Sequence, residues 1–192
     1  MRKTSKGFTL IELLAVMAII GLLLSVMYAS FLSARIKGRD AKRKSDLARI
    51  QLALEQYYDD HEDGTGHCYP KCNGSACNLP GGVTTCSTVS GGFTSIALVP
   101  TYLQVMPIDP INTAGNTGYA YFYGRNFKKI GPSLFAQPTA SEIRGQFYVI
   151  AARMEGAGYT TVCYDSNDNG VCNAGETAGF SNTNLNYLVG NE

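Results

Sequence analysis

Between Phe8 and Ala34 the chain has one charged side chain, Glu12, and between Leu10 and Asp59 it has no proline. The scarcity of charge excludes a surface helix of a soluble domain, because the run is apolar all round and shows no amphipathic stripe. The lack of proline excludes a proline break, leaving Gly21 and Gly38 as the weaker candidates for any bend. A helix over Leu13–Ala34 is about 33 Å long at ~1.5 Å per residue, enough to cross a hydrocarbon core. A small-x-small cleavage site is also missing: Met27-Tyr28-Ala29-Ser30-Phe31-Leu32 follows the run. With Glu12 inside what would be the apolar region, a cleaved secretory signal is excluded. Histidine is limited to His61 and His67, and no nucleophile elbow, phosphate loop or paired-carboxylate pattern is evident. No catalytic set emerges, and the reading is of a chain that is not an enzyme. The net charge of +1 supports no nucleic-acid reading.

What is present begins with a basic leader, Arg2, Lys3 and Lys6, ahead of Gly7-Phe8-Thr9-Leu10-Ile11-Glu12 and the apolar run. A lone carboxylate in an apolar helix costs ~2.5–3.5 kcal/mol on insertion scales and marks a functional partner by default. The blander reading is that Glu12 snorkels to the headgroups from the first turn. The constellation resembles the class III signal of type IV pilins and pseudopilins. That resemblance implies cleavage between Gly7 and Phe8 by a membrane-embedded prepilin peptidase, N-methylation of Phe8, and a glutamate at Glu12 that acts in assembly. The new amine on Phe8 would pair with Glu12 of a neighbouring subunit, a register device between packed helices. Gly21 and Ser25 are small enough for close helix approach. Where many family members carry a proline, this chain has Ala29.

Arg35 to about Asp60 continues the helix with a changed character. Arg35, Lys37, Arg39, Lys42, Arg43 and Lys44 form a basic collar relieved by Asp40 and Asp46. It reads as a solvated face, or as one that meets headgroups or acidic faces of neighbouring subunits. The collar competes with the leader under the positive-inside rule, and the cleavage motif places the leader inside. Leu47, Ile50, Leu54 and Tyr57 then recur at helical spacing, with Ala53 and Tyr58 beside them. The stretch 39–60 is similar to the corresponding helix of the major pseudopilin of type II secretion. Tyr102-Leu-Gln-Val-Met-Pro-Ile-Asp-Pro110 is similar to that family's Tyr-Leu…Leu-Pro-x-Asp-Pro segment.

Six cysteines behind an export-type start argue for an oxidising compartment. Cys68, Cys72, Cys77 and Cys86 lie close together, at spacings that are not the CxxC pairs of a zinc ribbon. Disulfides are the favoured reading, with three pairings open to these four. Such staples compensate for a loop-rich segment over 61–117. Ser95–Leu103 is expected as a short helix or turn. Strands are expected at Tyr119–Tyr123, at Phe147–Arg153 and, after a turn at Glu155-Gly-Ala-Gly158, at Tyr159–Tyr164, forming one antiparallel sheet. The apolar side of the Leu47–Tyr58 helix should cover one face of it. The tyrosines are expected as sheet core rather than as an electron-transfer array.

Asp165-Ser-Asn-Asp-Asn-Gly-Val-Cys-Asn-Ala-Gly-Glu176 fits the calcium-loop template. Asp165, Asn167 and Asn169 take the first side-chain positions, Gly170 the turn, Val171 the carbonyl position, Asn173 the ninth and Glu176 the last. Few charged ligands favour weak Ca²⁺ binding, on the order of 10⁻⁴–10⁻³ M. The alternative is an Asn/Gly-rich turn fixed by a Cys163–Cys172 disulfide.

The expected architecture is α+β. It comprises a leader over 1–7, a membrane and filament-core helix over 8–34, its amphipathic continuation over 35–60, and a head over 61–192. In the head, 118–165 supplies strands, 165–176 the calcium-type loop and 177–192 a tail. The resemblance implies a structural subunit of a pilus-like filament. Its partners would be copies of itself, the prepilin peptidase, an inner-membrane assembly platform, minor pilins or pseudopilins, and the membrane. A type II secretion pseudopilin is the alternative, and a monomeric membrane-anchored calcium-binding or adhesive module the second. The precursor is placed in the cytoplasmic membrane, and the filament at the cell surface or in the periplasm.

Overall fold

One helix, α1, runs from Leu10 to Asp60 in the computed structural model. The structure describes residues 7–62, 66–72, 84–87, 98–111, 119–132, 134–136, 146–156, 158, 162–165 and 185–190, with the side chains of 29, 84–87 and 163–165 outside the description. The chain forms two units, Met1–Gly38 and Arg39–Glu192. In the first, every large apolar side chain from Phe8 to Leu32 is exposed, by 44% at Leu32 and 88% at Phe8. This part of α1 is long and apolar enough to cross a membrane. A run rich in leucine, alanine and methionine, with no proline, forms a helix readily, yet only lipid or other helices can cover it.

In the second unit, strands β1 (Thr84–Ser87), β2 (Phe122–Arg125), β5 (Tyr148–Ala152) and β7 (Tyr187–Gly190) form an antiparallel sheet in the order β1-β2-β5-β7. Its register sets Tyr123 opposite Ile150 and Ile150 opposite Val189. Strands β3 (Lys128–Lys129), β4 (Leu134–Ala136) and β6 (Cys163–Asp165) form a second sheet, with β4 and β6 parallel. The period of two along β5 sorts its side chains. Tyr148, Ile150 and Ala152 pack with Leu47, Ile50, Ala53, Leu54 and Tyr57 of α1. Val149 and Ala151 pack on the opposite side with Phe127, Phe135, Val162, Leu185 and Leu188. Both faces of the central strand are therefore buried, which is why Tyr-Val-Ile-Ala-Ala shows no polar alternation.

Four of the buried tyrosines are core residues with satisfied hydroxyls. Tyr121 donates to Asp46 at 2.9 Å, Tyr123 to the Pro70 carbonyl at 2.8 Å, and Tyr69 and Tyr148 to Glu55 at 2.8 and 2.9 Å. Burial, seconded by Glu55, raises the Tyr69 and Tyr148 phenols above their ordinary value. At the end of α1, the Nδ1–H groups of His61 and His67 donate to the Tyr57 and Tyr58 carbonyls, both at 2.9 Å, satisfying acceptors that a helix terminus leaves open.

Two expectations are corrected. Of the strand expected at Tyr159–Tyr164, the described part does not join the sheet of β2 and β5: Cys163–Asp165 lies parallel to β4 in the other sheet. The chain leaving β5 is captured instead of turning back. Met154 exchanges two hydrogen bonds with the Asn186 side chain, and the Glu155 and Gly156 N–H groups donate to Asp40. The neighbour of β5 is β7, from the stretch read as a tail. Nor is the collar wholly solvated: Arg43, Asp40 and Asp46 are buried. Positions 40, 43, 46/47, 50 and 54 share one helix face, so the core-facing stripe starts with ionic residues before it turns apolar. Of the expected turn at Ser95–Leu103, Leu98–Leu103 is described, with the Tyr102 and Leu103 N–H groups both bonded to the Leu98 carbonyl.

Candidate assembly site

The start of α1 is built by four residues. Thr9 precedes the helix, and its carbonyl accepts from Leu13 N–H at 3.3 Å. Its hydroxyl accepts from Glu12 N–H at 3.4 Å, while the Glu12 carboxylate reaches back to accept from Thr9 N–H at 2.9 Å and from the Thr9 hydroxyl at 2.7 Å. This reciprocal arrangement is a capping box, which satisfies two donors that the first turn leaves open. Both bonds to the carboxylate fall on Oε2. Gly7 and Phe8 lie immediately outside, both exposed. The three residues expected to matter, Gly7, Phe8 and Glu12, therefore meet at one helix end, and Thr9 joins them. Thr9 was missed in reading the sequence, although Thr-x-x-Glu ahead of an apolar run is a capping signature.

A second constellation lies in the unit Arg39–Glu192. Arg43, fully buried, forks onto Asp109, with Nε–Oδ2 at 2.7 Å and Nη2–Oδ1 at 3.1 Å. Its Nη1 meets Asp40 at 2.7 Å and Glu155 at 2.6 Å. Arg39 binds Glu155 from the other side, with its Nε donating at 2.8 Å. Asp109 also accepts from Ile111 N–H at 2.8 Å, tying down the Pro107-Ile-Asp-Pro110 segment. Arg39 and then Arg43 hold the Glu155 carboxyl below its usual range. At Asp40 burial works upward, but the Glu155 and Gly156 N–H groups and Arg43 outweigh it, and its pKa is lowered. Burial likewise opposes the charged form of Arg43, and its carboxylate partners overcome this. Every charge is spent on a partner, so the cluster fastens α1 to two loops and offers no free acid, base or nucleophile.

Of the residues assigned to calcium, Asp165 ends β6, and Asn167, Asn169, Val171, Asn173 and Glu176 lie outside the described residues. Among the described residues no three His, Cys, Asp or Glu side chains form a metal-binding group. Cys68 and Cys72 are disulfide-bonded. Cys86 contributes backbone to β1 and Cys163 to β6, while Cys77 and Cys172 lie outside the described residues.

The prokaryotic N-terminal methylation motif matches residues 2–28. The chain is 32% identical over 77 residues to a probable minor fimbrial protein of Dichelobacter nodosus, covering 38% of this chain and 48% of that protein. It is 36% identical over 75 residues to type II secretion system core protein G of Escherichia coli (strain K12), covering again 38% and 48%. The chain thus spans about half the length of the curated relatives it matches. No solved structure matches it significantly. An exposed apolar helix opened by a Gly-Phe-Thr-Leu-Ile-Glu cap, a matching methylation motif and these two relatives make the chain similar to type IV pilins and pseudopilins.

Proposed function

We propose that the chain is a structural subunit of a pilus-like filament. Its precursor sits in the membrane, is cut between Gly7 and Phe8 by a prepilin peptidase, is methylated on Phe8, and polymerises through α1. The observation that carries this reading is the juxtaposition of Gly7–Phe8 and the Glu12 cap with an apolar helix whose every large side chain from Phe8 to Leu32 is uncovered. Such a surface requires lipid before assembly and other helices after it. The two relatives divide between a fimbrial protein and a secretion protein, so a pseudopilus of a type II secretion system is the second reading. The loop over 165–176 would add a weak Ca²⁺ site to the head.

Glu12 provides the test, because its cap and its charge are separable. A glutamine at this position keeps the capping box but not the charge. Glu12→Gln should therefore leave helix content and membrane insertion unchanged while filaments are lost, as the carboxylate no longer pairs with the Phe8 amine of a neighbour. Glu12→Ala should lose the reciprocal half of the capping box as well, and so weaken the first turn of α1. Filaments of Glu12→Gln at the wild-type level would reduce Glu12 to a cap and remove the charge-pairing step.

A further inference from the structure

Two groups of charged residues stand apart along α1 from Arg39 onward. Arg39, Asp40, Arg43 and Asp46 are engaged with the head. Lys42 and Arg49 remain exposed at one end of the helix face turned away from the core, and Asp59, Asp60 and Glu62 are exposed at its other end. Among the described residues none of these five takes part in an ion pair. No carboxylate stands three or four residues after Arg49, and no cation stands within a turn before Asp59 or Asp60. At ~100° per residue, Lys42 and Asp60 share an azimuth five turns apart, about 27 Å, with Arg49 between them on the same side. Along this face lie Ala41, Ser45, Ala48 and Leu52, the last 61% exposed.

We propose that this outward face of α1, from Lys42 to Asp60 with Glu62 just beyond its end, is a contact surface for a second copy of the chain, the basic end of one copy lying against the acidic end of its neighbour. The inference rests on the filament reading above and adds to it a polar, staggered contact outside the apolar helix. Copies inserted in one membrane in the same sense run parallel, so an unstaggered pair would set like charges together, which is disfavoured. An offset of three turns brings Arg49 onto Asp60 and Leu52 of one copy beside Ala41 of the other. An offset of five turns brings Lys42 onto Asp60. The axial stagger is therefore about 16–27 Å. This neighbour differs from the one whose Phe8 amine meets Glu12, because that pairing needs an offset of only about one turn.

A zero-length carbodiimide link between Lys42 and Asp59, Asp60 or Glu62, mapped in sheared filaments, tests the contact. Within one chain Lys42 and Asp60 are about 27 Å apart, so such a link joins two copies. The expected result is that link, together with a fall of at least about fivefold in filament yield for Lys42→Glu/Arg49→Glu and recovery when Asp59→Lys, Asp60→Lys and Glu62→Lys are added. Lys42→Glu/Arg49→Glu should leave the melting temperature unchanged, which separates assembly from folding, whereas Asp60→Lys also gives up the hydrogen bond that Asp60 accepts from the Tyr102 hydroxyl at 2.9 Å. Unlinked filaments with normal yield from the reversed variant overturn this contact while leaving the filament reading intact. Reversal that weakens binding to phosphatidylglycerol vesicles without affecting filaments assigns the cations to headgroups and overturns it as well. A wild-type chain that is cut but never polymerises removes the filament reading and this inference with it.

Discussion

Replacing Arg43 with methionine should be among the most damaging single changes to the head. The guanidinium is fully buried and neutralises Asp109, Asp40 and Glu155 together. Methionine keeps much of the stem's packing but leaves three carboxylates with Arg39 as their remaining cation. Breaking a buried ion pair from one side costs about 3–5 kcal/mol, because the remaining charge stays desolvated. For a unit the size of Arg39–Glu192 each kcal/mol lowers the melting temperature by about 2–4 °C, giving a fall of about 6–20 °C. Thermal unfolding of the detergent-solubilised full chain, followed by near-ultraviolet circular dichroism of its tyrosines, reads the shift. Arg43→Lys should fall between, since an ammonium keeps the charge but cannot reproduce the two-pronged bond to Asp109. Adding Asp109→Leu to Arg43→Met should recover part of the loss by removing one stranded carboxylate. A loss below about 1 kcal/mol for Arg43→Met, or a double variant less stable than the sum of the singles, would refute the assignment of this cluster as the fastening of α1.

The other predictions concern acid, metal and backbone. Glu155 and Asp40 have lowered pKa values in the folded state, so the stability they contribute is present above the ordinary carboxylate range and is lost as pH falls through it. Unfolding free energy should be flat near neutrality and drop below about pH 4, more weakly in Glu155→Gln. A chelator should lower the head's melting temperature if 165–176 holds Ca²⁺, and no change on chelation or on Glu176→Gln would remove calcium from the account. Gly190→Ala should destabilise by about 1–3 kcal/mol, since its Cβ would stand 2.5 Å from the Tyr148 carbonyl oxygen across the β5–β7 ladder; wild-type stability would contradict that register.

The long helix and its division into an uncovered apolar part and a core-facing part were legible because both signals are local. A charge-poor run and a helical repeat of Leu47, Ile50, Leu54 and Tyr57 need no knowledge of tertiary partners. The strand at Tyr148–Ala152 is likewise visible in the β-forming residues of Phe147–Arg153, whereas the one expected at Tyr119–Tyr123 overlaps β2 only at Phe122 and Tyr123. Strands β1 and β7 are not visible, because each is a four-residue segment whose only reason to be extended is the neighbour it pairs with, across a long stretch of sequence. Arg43 was read as a solvated collar residue because composition cannot tell a displayed cation from one enclosed by Asp109 and Glu155, which lie 66 and 112 positions away in sequence. At the amino terminus the motif was recognised, but the cap was not. The sequence reads Glu12 as a charge that pairs with another subunit or snorkels to the headgroups, whereas its own helix already supplies the Thr9 donors.

The central claim is that this chain is cut at Gly7–Phe8 and built into a filament through the helix that begins there. Mass spectrometry of the amino terminus of protein sheared from cell surfaces tests it most directly. The expected product is a chain beginning at methylated Phe8 in the sheared fraction. An intact leader, in cells holding an active prepilin peptidase, would contradict it and return the chain to a plain membrane anchor.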